Sequence, residues 1–87
     1  MKAIEFERWF EDKKNTIGMW GVEAQKKIVK EFTMGCYYDL DDHKWKVYAN
    51  EERGQFVIYL ETESEEEAFD ELKAMVSFEQ KNNKGYY

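Results

Sequence analysis

The sequence has no proline, one cysteine and one histidine. Each scarcity excludes a class of protein. A single cysteine cannot close a disulfide within the chain, so a disulfide-stapled secreted mini-protein is ruled out. Cys36 and His43 together fall short of the four Cys or His ligands that a structural zinc site usually takes. No stretch reaches the roughly 18 consecutive apolar residues of a membrane-spanning helix. The first eight residues, Met1 to Arg8, alternate charged with apolar side chains and lack the apolar core of a signal peptide. The expectation is a cytoplasmic protein in which Cys36 stays a reduced thiol. Basic residues are also outnumbered, 13 against 19 acidic, for a formal net charge of −6. That sign is wrong for a conventional nucleic-acid binder, and no direct nucleic-acid contact is expected.

What is present describes one α+β domain over residues 1–87. Apolar residues make up 43% and aromatics 17%, too much for a disordered chain, which lacks large side chains to bury. Residues 1–33 read as a helical region of one or two helices. Ala3, Phe6, Phe10 and Lys13 share a helical stripe over 3–14, with Trp9 beside it. Gly18 and Gly21 break the pattern. A second helix is predicted from about Val22 to Thr33, with Val22, Gln25, Ile28, Val29 and Phe32 on its apolar side and Gly35 as its stop.

The period then changes to two. Residues 36–61 predict a three-stranded antiparallel β-meander, with strands over 36–40, 45–50 and 56–61. Asp41 to Lys44 and Glu51 to Gly54 form its turns, the second with Gly54 at a positive-φ position. Strict alternation puts Trp45, Val47, Phe56, Ile58 and Leu60 on a face that the helices cover. Tyr37, Lys46, Tyr48, Val57 and Tyr59 fall on the other, which is free to stay wet. A last helix is predicted over 64–80, packed on one sheet face. Ser64 caps it, Glu67 reaches back in a capping box, and Ala68, Phe69, Leu72, Met75 and Val76 are its buried stripe. Residues 81–87 form a tail expected to fray, with Tyr86 and Tyr87 able to dock.

No catalytic constellation stands out. Asp39, Asp41, Asp42 and His43 could ligate a divalent ion, but their spacing does not match a calcium loop, and a solvated turn explains them. A general base at His43 or a nucleophile at Cys36 would each need a pocket and a partner that nothing local supplies. An enzyme would have to gather His43, Cys36 and a carboxylate in one cleft. No enzymatic activity, metal or cofactor is expected. A structural subunit of a larger assembly is a third class, against which a stable monomer would count.

The charge is uneven. Residues 1–38 carry seven basic and six acidic groups; residues 39–87 carry six and thirteen. Seven of the eleven residues from Glu61 to Glu71 are acidic and none is basic. Such a half steers towards a basic partner. Tyr37, Tyr48 and Tyr59 on an open sheet face, ringed by Asp41, Asp42, Glu51 and Glu52, would be anchors with an acidic rim. Glu61, Glu63, Glu65 and Glu66 complete the candidate partner-binding set.

Four segments carry a resemblance: Tyr37-Tyr38-Asp39, Trp45-Lys46-Val47-Tyr48, Glu52-Arg53-Gly54 and Ser64-Glu65-Glu66-Glu67-Ala68-Phe69. Over residues 37–76 the chain resembles small bacterial immunity-type proteins, which sit beside polymorphic toxins and neutralise them. That resemblance implies a non-enzymatic inhibitor, a monomer or small oligomer, that occludes a basic toxin surface. A likeness of architecture alone, in size and acidity, links the chain to phage-encoded anti-CRISPR inhibitors that imitate DNA phosphates. The alternative it implies is occlusion of a basic CRISPR effector.

Overall fold

A computed structural model describes residues 1–52 and 55–84 of the chain. Helix α1 spans Ala3–Phe10. Four strands follow: β1 Gly21–Glu23, β2 Thr33–Asp39, β3 Lys44–Asn50 and β4 Phe56–Thr62. Helix α2, Glu65–Lys84, is the last described element. The fold is α+β as expected, and β2, β3 and β4 form the antiparallel meander in sequence order. The sheet has four strands rather than three, because β1 pairs with β2 in parallel.

The predicted second helix is the main correction. Residues 21–23 are a strand, and residues 24–32 form an irregular strap that returns to β2 across the opposite sheet face. The stripe from Val22 to Phe32 lost to tertiary context: β-branched Val22, Ile28 and Val29 are mediocre helix formers, and intrinsic propensity is a weak prior. Phe32 ends the strap in a left-handed conformation, φ 58°, and its carbonyl accepts from the Gly21 amide at 2.8 Å. Helix α1 is also shorter than predicted. It stops at Phe10, where Lys13 folds back and donates from Nζ to the Trp9 carbonyl at 2.9 Å, satisfying an end-of-helix acceptor.

One face of the sheet carries the core. Met34, Cys36, Val47 and Ala49 meet Phe6 and Phe10 of α1 and Ala68, Phe69, Leu72 and Val76 of α2, with Ile17 sealing the turn after α1. Phe69 is the hub. Its ring lies 5.8 Å from Phe6 and 5.4 Å from Trp45, in the tilted and edge-on geometries that aromatic rings prefer.

A register shift between Val47 and Tyr48 alters the faces of β4. Val47 pairs with Leu60 but Tyr48 pairs with Ile58, leaving Tyr59 as the extra residue of a bulge. Leu60 keeps its expected helix-side place, whereas the residues before the bulge exchange sides. Phe56, expected in the core, stacks on Tyr48 at 5.1 Å, on the strap face. Tyr59, expected on the open face, lies on the α2 side. Strict alternation cannot foresee an inserted residue.

Helix α2 begins as expected, with Ser64 Oγ accepting from the Glu67 amide at 3.1 Å. The reciprocal half of the capping box is absent. The Ser64 amide donates instead to Thr62 Oγ1 at 3.0 Å. The helix continues through residues 81–84, predicted as tail. The expectations for Gly54 and for Tyr86 and Tyr87 lie outside the described residues.

Candidate functional site

The predicted anchor face is occupied by the chain itself. Tyr48 is fully buried, not exposed. Its hydroxyl donates to the Lys26 carbonyl at 2.6 Å and accepts from the Ile28 amide at 2.9 Å, fastening the strap over the sheet. Lys27 places its ammonium 5.2 Å from the Phe56 ring and 5.8 Å from Tyr37. Tyr37 is half-buried, edge-on to Tyr48, and burial pushes its phenol pKa up. The three tyrosines therefore form no common surface. Tyr37 and Tyr48 belong to the strap face, and Tyr59 to the other.

Several candidate carboxylates are engaged within the fold. Lys46 Nζ pairs with Asp39 Oδ2 at 2.8 Å, with Asp42 Oδ2, and with Glu61 Oε1 at 3.3 Å. Asp39 Oδ1 also accepts from the Asp41 amide at 2.9 Å and the Asp42 amide at 3.3 Å, which organises the turn. The 39–43 segment is thus a self-bonded turn closed by a lysine, with His43 exposed at its end, φ 55°. Among the described residues no group of three or more His, Cys, Asp or Glu side chains is placed to hold a metal ion. Glu65 joins the two helices, its Oε2 accepting from the Ala3 amide at 2.9 Å. Asp70 pairs with the Met1 ammonium.

Cys36 lies inside β2. It is buried, and burial, followed by the nearby Glu65 charge, pushes its thiol pKa up to about 12. A thiol so protonated is a poor nucleophile at neutral pH. It lies in the core while His43 sits exposed in the β2–β3 turn.

The remaining acidic groups form a flank on α2 and the turn that precedes it. Glu63, Glu66 and Glu67 are exposed and Glu71 is half-exposed. Among the described residues no ion pair reaches any of these four. The apolar side of α2 holds them in place from beneath. Asp41, Glu51 and Glu52 lie apart on the turns; Glu51 accepts from the Tyr59 hydroxyl at 3.0 Å.

Sequence reasoning overlooked a groove of about 290 Å³ between α2 and the β3–β4 end of the sheet. Trp20, Tyr59 and Phe78 line it, with Glu51, Glu71 and Glu79 at its margins. One sequence signal pointed there. Phe78 falls off the buried stripe of α2, yet Glu71, Met75 and Phe78 share a helical flank by their spacing. The Trp20 and Tyr59 contributions depend on the first turn and on the bulge, which periodicity does not reveal.

Comparison with protein-family models, with characterised proteins and with solved structures returned no match to this chain. No helix among the described residues is long and apolar enough to cross a membrane.

Proposed function

We propose that this chain is a non-enzymatic inhibitor that binds and occludes a basic surface of a partner protein in the cytoplasm, in the manner of the immunity proteins its motifs resemble. The observation that carries this reading is the α2 flank. Glu63, Glu67 and Glu71 stand together without an ion pair among the described residues, on α2 and the turn before it, with Glu66 beside them within the field of the Met1 ammonium. The helix is seated by Ala68, Phe69, Leu72 and Val76. A fixed array of one sign, left uncompensated, raises the encounter rate with an opposite surface and suppresses wrong partners. The buried Cys36 thiol and the self-bonded turn at His43 support a binding role over a catalytic one. Because Tyr48 holds the strap, this reading puts the recognition surface on the α2 side of the molecule instead.

The test compares the wild-type chain with a variant carrying Glu63→Gln, Glu66→Gln, Glu67→Gln and Glu71→Gln. Both are used as bait in a lysate of the native host, and proteins retained by the first alone are purified. A genuine partner associates more slowly as salt rises, and less steeply so with the variant. Co-expression of the wild-type chain relieves the growth inhibition the partner causes. A retained protein whose association rate ignores salt, or equal retention by both baits, refutes the reading.

A further inference from the structure

The groove beside the acidic flank has a composition of its own. Its aromatic walls are only partly covered: Tyr59 is 49% and Phe78 61% exposed, and Trp20 is half-buried with its ring edge-on to Phe32 at 5.8 Å. Exposed rings of this size are normally buried in a core or used as contacts. The margin is acidic on both sides, with Glu51 at the β3 end and Glu71 and Glu79 on α2. The Tyr59 hydroxyl donates to Glu51 Oε1 at 3.0 Å, which fixes the ring and one carboxylate relative to each other. Among the described residues, no lysine or arginine lines the groove.

We propose that this groove receives an arginine side chain of the basic partner, its guanidinium stacked on the aromatic walls and paired with the carboxylates at the margin. This rests on the reading of the chain as a binder of basic surfaces and names where the contact is anchored. Three properties select the occupant. Ring faces and carboxylates together attract a cation and repel an anion. A planar guanidinium can stack on a ring and bond two carboxylate oxygens at once, whereas a lysine ammonium acts as a point charge. A space of about 290 Å³ lies at the lower bound of small-molecule pockets, which suits a single side chain. The burial of Glu79 and its closeness to Glu51 push its carboxyl pKa up, a sign of how closely the acidic groups sit at this margin. Glu71 lines the groove and belongs to the acidic flank, so the site is continuous with the proposed interface.

The test titrates the wild-type chain with N-acetyl-arginine methylamide and, separately, with its neutral citrulline isostere, following Trp20, Tyr59 and Phe78 by NMR. The expected result is saturable shifts at all three with the arginine amide, and affinity about tenfold weaker or worse with citrulline. A lysine amide should fall between them. The Glu51→Gln/Glu79→Gln chain, checked for an unchanged fold by its amide spectrum, should lose most of the arginine preference. No saturable shift, or equal shifts with arginine and citrulline, overturns the proposal. This titration needs no natural partner, so its failure is separable from that of the wider reading. Salt-dependent partner binding that survives Glu51→Gln/Glu79→Gln and Phe78→Ala would leave the inhibitor standing and remove the groove from its interface.

Discussion

Tyr48 lies over Gly35 in the neighbouring strand. The two residues are in direct register, and a β-carbon built on Gly35 would stand 2.8 Å from the tyrosine oxygen and 3.0 Å from its Cε1. It would also collide with the carbonyl oxygen of Glu23 on the other side. The missing side chain of one strand is thus the space into which an aromatic of the next is laid.

Gly35→Ala should therefore destabilise the protein, although alanine is otherwise the milder residue in a strand. The backbone oxygen of Glu23 cannot rotate away, so the strain falls on the β1–β2 pairing. A loss of about 1–3 kcal/mol is expected, the usual range for overpacking. Chemical denaturation measures it; an unchanged midpoint would mean that the strands separate freely there.

Tyr48→Phe keeps the ring and removes the hydroxyl, leaving the Ile28 amide and the Lys26 carbonyl without their partner. The expected cost is about 1–3 kcal/mol, less to the extent that water reaches the freed groups. Its distinguishing mark is local. Hydrogen exchange at Ile28 should speed up far more than at Val47, whose environment the substitution leaves alone.

Lys46 gives the stability a pH dependence of known sign. Its hydrogen bond, followed by that of the Asp42 amide, holds the Asp39 carboxyl below its ordinary value, and the lysine's own pKa is raised chiefly by Asp39. A carboxyl depressed on folding contributes stability that is present above its unfolded value, about 3.9, and is lost as pH falls through the folded value. A lysine raised on folding contributes below its unfolded value and loses that contribution only in strong alkali. Lys46→Met should consequently lower the melting temperature at neutral pH, where Asp39, Asp42 and Glu61 would repel one another. The difference from wild type should shrink below about pH 4. A difference that is constant with pH would show that the lysine acts only by packing its stem.

Asn50 is 1% exposed, and its side-chain oxygen and nitrogen have no hydrogen-bond partner among the described residues. Burying such atoms unpaired carries a desolvation penalty. Asn50→Val, which suits a β position, should raise stability by about 1 kcal/mol, seen as a higher denaturation midpoint. Asn50→Asp, which buries a charge, should lower it. A loss with valine would show that the amide is satisfied by an ordered water.

The sequence disclosed those parts of the fold that local chemistry decides. The alternation through Trp45, Val47 and Ala49 placed β3 correctly, Ser64 marked the start of α2, and Ala68, Phe69, Leu72 and Val76 identified its buried side. What it hid was decided at a distance. The strap over 24–32 is non-helical partly because the Tyr48 hydroxyl, some twenty residues on, takes its backbone groups. The faces of Phe56 and Tyr59 hang on one inserted residue. The acidity of α2 could be read directly. That Glu61, Asp42 and Glu65 would be engaged internally, while Glu63, Glu67 and Glu71 would make no ion pair among the described residues, required the strands and helices to be assembled.

The sheet order also sets an order in time. β2, β3 and β4 are consecutive and joined by short turns, so their pairing closes only small loops, whereas β1 must be delivered by the strap and α1 must find an α2 more than fifty residues away. Loop-closure entropy favours the nearby contacts first. Truncating Val47 should then slow folding, and truncating Phe6 or Val22 should chiefly hasten unfolding. The N-terminal third arrives last, as the piece that completes a sheet already standing.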